Sequence, residues 1–412
     1  MGLESGQKAK RVLYVLNDAS GGASMTAYQV IKNLPKDRIE PYVVCYPSGR
    51  TEDLDRFKDI CMGVETVYMP WCTIPWRDPF ILQMLIRLKR MLHSCFHLLP
   101  IIKIVHLIKK WKIDIVHSNT SVQIDAAVAA KLQNVPHIWH IRELIGDEHP
   151  NRFVISNQKL QLFFLFFSHH IICNSQKTAF CLFNPQEKRR EILYNPIEAD
   201  LFSQEIAIEQ GSMLRIKWSI PENFVVIGMC AAIGTKLKRH EWFIEAAAKV
   251  SEAAPNVCFV LCGSIPEPGT DGWKYYLSLK QLVEKHNLSS TFLFTGYIAD
   301  IPGMMNAIDI LVHTSPDESF GRVIVEAMAA GKPVVGFDSG GISEIIEHER
   351  CGFLAPRGDV SAIASFVIRL VREKDLRITF GEQGKLLAGK NYSMESYVNR
   401  LLRIYQEAET FV

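Results

Sequence analysis

This chain lacks most of the markers that assign a protein to a class by composition. Its ten cysteines (Cys45, Cys61, Cys72, Cys95, Cys173, Cys181, Cys230, Cys258, Cys262 and Cys351) include no C-x-x-C pair. Most sit in apolar runs and read as reduced core residues, not as a disulfide framework or a zinc site. No stretch of about twenty uncharged apolar residues occurs, so no membrane span is expected. Met1 to Lys10 is short and polar, and the first apolar run, RVLYVLN, reads as a strand instead of a secretory signal. A cytoplasmic location is therefore expected. No dense Lys/Arg stripe or recognition motif is present, so nucleic acid is not an expected partner. Repeats and low-complexity segments are also missing.

Two further absences concern ligands. The turn after the first strand, Asn17-Asp18-Ala19-Ser20-Gly21-Gly22-Ala23-Ser24, is not G-x-G-x-x-G, which argues against dinucleotide binding. The only D-x-D, Asp53-Leu54-Asp55, falls in TEDLDRFKD, a charged segment that reads as a solvated helix. No metal is expected.

What remains is a globular composition, 48% hydrophobic and 22% charged over 412 residues. That length suits two domains of about 150–200 residues each. The net charge of +2 is unevenly spread: residues 1–200 carry 25 Lys and Arg against 19 Asp and Glu, the remainder 21 against 25. A mildly basic first half fits a membrane surface or an anionic ligand.

Short apolar runs alternate with helical patterns from end to end. Strands are expected at 11–17, 41–47, 113–120, 137–143 and 170–175, then at 224–230, 258–264, 291–297, 309–315 and 333–339. Several are apolar almost throughout, as strands covered on both faces of a parallel sheet are. The repeated strand–helix order is that of βαβ units and implies an α/β fold. The series breaks near YNPIEADLF, where Pro196 cannot donate to a ladder and pushes Asn195 out of helix. A linker is expected there, in a polar stretch lasting to about Glu222. The expected domains are 1–195 and 196–392, with 393–412 as a further helical segment. Ligands of open α/β sheets bind beyond the carboxyl ends of strands, so two such domains facing each other would form an interdomain cleft.

The richest segment is DILVHTSPDESFGRVIVEAMAAGKPVVGFDSGGISEII. Asp317, Glu318 and Ser319 precede a helix, where acids and caps are favoured on structural grounds alone. Gly321 allows backbone N–H groups to approach a ligand at the positive helix end, which suits a diphosphate. Glu326 sits in the otherwise apolar RVIVEAMAAG, where an unpaired carboxylate is costly. Asp338-Ser339-Gly340-Gly341 reads as a second flexible backbone site beside the first.

With its E-S-F-G, E-A-M-A-A-G-K-P-V-V and G-G-I-S-E-I blocks, the chain resembles the retaining nucleotide-sugar glycosyltransferases of the GT-B fold, in particular family 4. The resemblance extends to Y-N-P-I-E, G-F-L-A-P-R-G-D and the N-terminal glycine turn. It implies two facing Rossmann-like domains, with the last helical segment, from about Ser393, crossing back to the first. It implies that Glu326 holds the donor ribose, that Glu318 faces the reacting centre, and that Ser319, Phe320 and Gly321 bind the sugar and distal phosphate. Charge grows on the departing diphosphate, so cations or N–H dipoles are needed there. The family's lysine matches Lys238, but its arginine position falls on Ala232 or Ile233. Either Lys236 or Arg239 supplies the missing charge, or the enzyme is slow, or the chain binds donor without turning it over.

In the first half, Gly21 and Gly22 match the family's glycine turn beside the donor phosphates and acceptor. His140, in His137-Ile138-Trp139-His140-Ile141-Arg142-Glu143, matches a histidine that reaches the donor sugar. Nothing supplies a third metal ligand beside His137 and His140. Arg142 and Glu143 are expected to line the cleft, and Ser118 and Asn119 are weaker acceptor candidates. Residues 80–112 are apolar and basic with no acid from Phe80 through Ile113, the pattern of a helix lying on an anionic membrane. The resemblance thus implies hexosyl transfer from a UDP- or GDP-linked sugar, without cofactor, to a glycan or lipid-linked acceptor in cell-envelope polysaccharide assembly, and a place at the inner face of the membrane is expected from the 80–112 segment. The alternatives are a non-catalytic nucleotide-sugar binding protein and a sugar-nucleotide epimerase on the same fold.

Overall fold

Apolar strands covered on both faces dominate the computed structural model, which describes residues 8–19, 21–47, 51–75, 97–145, 151–153, 155–234 and 236–409. In chain order the strands are β1 (Lys10–Leu16), β2 (Ile39–Cys45), β3 (Gly63–Thr66), β4 (Thr73–Pro75) and β5 (Ile115–Ser118). They continue with β6 (His137–Ile141), β7 (Asn151–Phe153), β8 (His170–Cys173), β9 (Arg190–Ile192) and β10 (Val225–Cys230). The last are β11 (Val257–Cys262), β12 (Phe292–Gly296), β13 (Ile310–His313), β14 (Val334–Phe337) and β15 (Gly352–Ala355). All ten sequence-expected strands are present. The additions are short: the sheet edges β3, β9 and β15, and the antiparallel pair β4–β7.

Two compact units result, residues 1–196 with 394–412, and residues 197–393. The first carries a seven-stranded parallel sheet in the order β3-β2-β1-β5-β6-β8-β9. The second carries a six-stranded parallel sheet ordered β12-β11-β10-β13-β14-β15. In each, the order reverses between two central strands, β1 and β5 in one and β10 and β13 in the other. Such switch points open a crevice at the strands' carboxyl ends, where ligands of doubly wound sheets bind.

One face of the first sheet is covered by the C-terminal helix, Met394–Glu409. Its Tyr397, Leu401, Ile404 and Tyr405 share a core with Tyr14 of β1, Ile115 of β5 and Ile138 of β6. Arg400 adds an ion pair to Glu191 at 2.6 Å.

The expected polar linker is largely absent. Glu205–Lys217 is a helix of the second unit, with Ala207 and Gly211 buried against Ile301–Ala307. Arg215 ties it down, pairing with Asp309 at 2.8 Å and donating to the Ala307 carbonyl at 2.7 Å. Its small buried face gave no amphipathic signal, because Ile206, Ile208, Met213 and Ile216 are exposed. Asp53 and Asp55 lie on the helix Thr51–Lys58, paired with Arg56 and Lys58.

Candidate active site

In the C-terminal unit the chain leaves β13 through the fully buried Thr314 and Ser315. The Thr314 hydroxyl lies 3.0 Å from the carbonyls of both Lys238 and Arg239. These contacts clamp the turn Lys236–Lys238, which follows β10, against the neighbouring strand end. The clamp brings the Lys238 ammonium to 2.5 Å from Glu318 Oε2. His313 Nε2 lies 3.5 Å from the same oxygen. Burial alone would raise the Glu318 carboxyl, but Lys238 and His313 outweigh it and hold the group far below its ordinary 4.5.

The turn that carries Glu318 is held by backbone packing. Gly321 begins the helix Arg322–Ala329 with φ 92°, a left-handed conformation that favours glycine. A Cβ on Gly340 would come within 2.3 Å of the Glu318 carbonyl oxygen, and one on Gly341 within 2.5 Å of that of Ser319. The Gly341 N–H donates to the Glu318 carbonyl at 2.8 Å. Gly340 and Gly341 are therefore the buttress of the first turn, where the sequence suggested a second flexible site. Phe320 is buried, its ring against that of Tyr392.

Glu326 lies on that helix, 7% exposed, with Arg322 Nε 2.7 Å from its carboxylate. Burial raises this carboxyl, opposed by Arg322. Neither Arg322 nor His313 was singled out from sequence: one sits in a helix-start motif, the other looks like any polar residue ending a strand. Of the two positions weighed for the family arginine, Ile233 is fully buried in the core and Ala232 is exposed. The Arg239 guanidinium lies over the Trp242 ring at 4.9 Å and pairs with Glu241 at 3.3 Å. The Lys236 ammonium lies 6.0 Å from the Tyr275 ring centroid. Of the three expected cations, Lys238 alone meets Glu318.

At the switch point of the N-terminal unit, Asp18 accepts from the Gly21 N–H at 2.7 Å, and Asn119 Nδ2 donates to the Ala23 carbonyl at 3.2 Å. Gly22 is exposed. Arg142 donates to Asn119 Oδ1 at 2.7 Å and to Asn195 Oδ1. His140 is fully buried, and its Nε2 has no hydrogen-bond partner among the described residues. Ser118, a weaker acceptor candidate, and Glu143, expected to line the cleft, are both engaged internally. Ser118 is fully buried at 2.8 Å from His137 Nε2, and the Glu143 carboxylate is taken up by Thr120 and Ser121 at 2.5–3.1 Å. Alternation along β5 turns Ser118 inward, and Glu143 fixes the loop after β5. Among the described residues no group of three or more His, Cys, Asp or Glu is placed to hold a metal ion.

The comparisons with known proteins agree with this architecture. A family model described as "Glycosyltransferase Family 4" matches residues 20–201, and one described as "Glycosyl transferases group 1" matches residues 213–387. The chain belongs to this family of glycosyltransferases. N-acetyl-alpha-D-glucosaminyl L-malate synthase of Bacillus anthracis is 29% identical over 42% of this chain, a match spanning only 43% of that protein. UDP-Gal:alpha-D-GlcNAc-diphosphoundecaprenol alpha-1,3-galactosyltransferase of Escherichia coli is 25% identical over 68% of this chain and 71% of its own. Anabaena HepE, solved in complex with UDP and glucose, superposes with a TM-score of 0.76 at 24% identity, covering 98% of this chain and 99% of that one. That likeness shows the GT-B fold.

The Glu318 site makes a pH-dependent contribution to this glycosyltransferase's stability. A carboxyl whose folded pKa is depressed stabilises above its unfolded value and loses that contribution as pH falls through the folded value. Glu318→Gln should cost about 1–2 kcal/mol near neutral pH. The gap from the native chain should close as pH drops below about 4.5, read by urea unfolding across pH. A gap independent of pH would show that Glu318 is not held ionised.

Proposed function

We propose that this glycosyltransferase moves a hexosyl group from a UDP- or GDP-linked sugar, with retention of configuration and without a metal or other cofactor. The observation that carries the reading is the Lys238–Glu318 pair at 2.5 Å, set at the mouth of the glycine-started helix that bears Glu326. As the sugar–phosphate bond breaks, positive charge grows on the sugar and negative charge on the leaving diphosphate. Glu318, held ionised, faces the first charge, and Lys238 with the positive end of the helix faces the second. Glu326, buried among apolar neighbours, accepts from the donor ribose. Ser319, Phe320 and Gly321 offer backbone to the distal phosphate. In the N-terminal unit, His140 offers an N–H to a ligand oxygen at the switch point, where Gly21, Gly22, Asn119 and Arg142 supply the neighbouring polar groups.

The acceptor proposed is a glycan or lipid-linked saccharide of cell-envelope polysaccharide assembly, at the inner face of the membrane. The diphosphoundecaprenol acceptor of the Escherichia coli relative supports it. So does the described part of the 80–112 segment; residues 80–96 lie outside the described residues. The helix Leu98–Trp111 buries Ile104, Leu107 and Ile108 but exposes Leu98, Leu99 and Ile102 beside Lys103, Lys109 and Lys110. No helix among the described residues is long and apolar enough to cross a membrane. The competing reading, a nucleotide-sugar binding protein that does not turn donor over, draws on the alanine exposed at position 232. It predicts donor binding without transfer or hydrolysis.

Thermal-shift screening of UDP- and GDP-sugars should find one that stabilises the protein, with Glu326→Ala weakening it at least tenfold, the equivalent of one charge-assisted hydrogen bond. Unchanged affinity in that variant would remove the ribose role. Lys238→Ala should lower turnover by 10²-fold or more, roughly the effect of losing one transition-state contact, a larger effect than its cost in folding stability. A fully active variant would reassign the diphosphate contact. Replacing Leu98, Leu99 and Ile102 by serine should abolish co-sedimentation with anionic liposomes. If the native chain does not sediment with them, the membrane proposal falls.

A further inference from the structure

A chain of buried hydrogen bonds runs from β1 through the C-terminal helix to His140, all within the N-terminal unit. Tyr14 Oη lies 2.6 Å from Tyr405 Oη, which lies 2.8 Å from His117 Nδ1. His117 Nε2 is 3.3 Å from His140 Nδ1, and the two rings stack with centroids 5.5 Å apart. All four side chains are at most 2% exposed. Strand pairing aligns them, because Tyr14 is in register with His117, and His117 with Ile138, two residues before His140 on the same face.

The direction of every bond is fixed from one end. Arg142 Nη2 lies 3.3 Å from His140 Nδ1, and a guanidinium has donors only. His140 Nδ1 must therefore be bare. His117 Nε2, facing the same bare nitrogen, must carry the proton. Both imidazoles are kept neutral by burial and by neighbouring positive charge. A neutral His117 protonated on Nε2 has a bare Nδ1, which accepts the Tyr405 O–H. The Tyr405 oxygen then accepts the Tyr14 O–H. The reverse order would set an Arg142 N–H against an N–H of His140.

We propose that Tyr405 is a positioning residue: Arg142 keeps the Nδ1 of His140 bare, and Tyr405, donating to His117 Nδ1, holds His117 as the N–H donor to that nitrogen, so that His140 stays the neutral tautomer whose single proton, on Nε2, is offered to a ligand oxygen. That proton belongs to the atom that is buried and without a partner among the described residues, where a donor is costly unless a ligand satisfies it. His140 acts as a fixed hydrogen-bond donor and not as an acid or base. The C-terminal helix, 288 residues beyond His117 in the chain, becomes part of the site's construction. Tyr397 of the same helix adds a contact to Arg142, which sets the direction. The proposal rests on the reading that His140 meets substrate.

Multiple-bond 1H–15N spectra of ¹⁵N-histidine protein distinguish the two neutral tautomers and the cation. In the native chain His117 and His140 should both appear protonated on Nε2 and should not titrate between about pH 6 and 8. Tyr405→Phe should shift His117 toward the Nδ1-protonated form and lower kcat about tenfold, the kinetic equivalent of one hydrogen bond, with KM changed far less. Tyr14→Phe removes only the last donor and should leave both tautomers in place. A native His140 protonated on Nδ1, or charged, overturns the proposal without any variant having to fold. Unaltered His117 signals or unaltered kcat in a folded Tyr405→Phe also overturn it. His140→Ala with full turnover would instead remove the reading beneath it, a result separable from the tautomer assignment because the spectra need no substrate.

Discussion

A carboxylate sunk below the surface needs a countercharge, and in the C-terminal unit the placement of that countercharge organises the site. Glu318 is held ionised by Lys238 and His313, and each comes from a different part of the fold. His313 closes β13, while Lys238 sits on the turn after β10, which Thr314 grips by two carbonyls. Glu318 itself rides on a turn that can approach β14's exit only because Gly340 and Gly341 have no Cβ. A switch point between β10 and β13 is what brings these pieces together. The electrostatics are thus a product of strand order.

The N-terminal unit solves a different problem with similar means. Its polar groups are buried around one cation, Arg142, and they are satisfied by one another in series. Asn119 ties the glycine turn to Arg142, and Arg142 ties β6 to Asn195. The C-terminal helix completes the series with two tyrosines. A buried network of this kind is stable only when nearly every member is paired, which makes the unpaired Nε2 of His140 informative.

Much of this was legible in the sequence, for identifiable reasons. Ten strands, nine of them central, showed themselves because burial within a sheet demands apolar runs. The edges β3, β9 and β15 did not, being three or four residues long, with β3 and β9 half-buried throughout. The Glu318–Glu326 block stood out because an acid in RVIVEAMAAG contradicts its surroundings. Lys238 was found through the family resemblance, and the structure gives it a partner. What stayed hidden was pairing at long range: His117 meets Tyr405 across 288 residues, and no local pattern announces it. Ser118 and Glu143 show the converse: a polar residue at a strand end is equally suited to an internal contact, Ser118 to His137 of the neighbouring strand and Glu143 to the loop at Thr120 and Ser121. The helix Glu205–Lys217 was hidden because it packs through Ala207 and Gly211 while its larger apolar side chains face outward.

We propose that an ionised Glu318 beside Lys238 supports sugar transfer with retention. The most direct test needs no acceptor. The protein would be incubated with the nucleotide sugar it binds best, and the anomer of the first sugar released by slow hydrolysis read by NMR before mutarotation. An α-linked donor should yield α-sugar first, and release should be lost in Glu318→Gln. A β-sugar as first product, or donor that is bound and never cleaved, would contradict it.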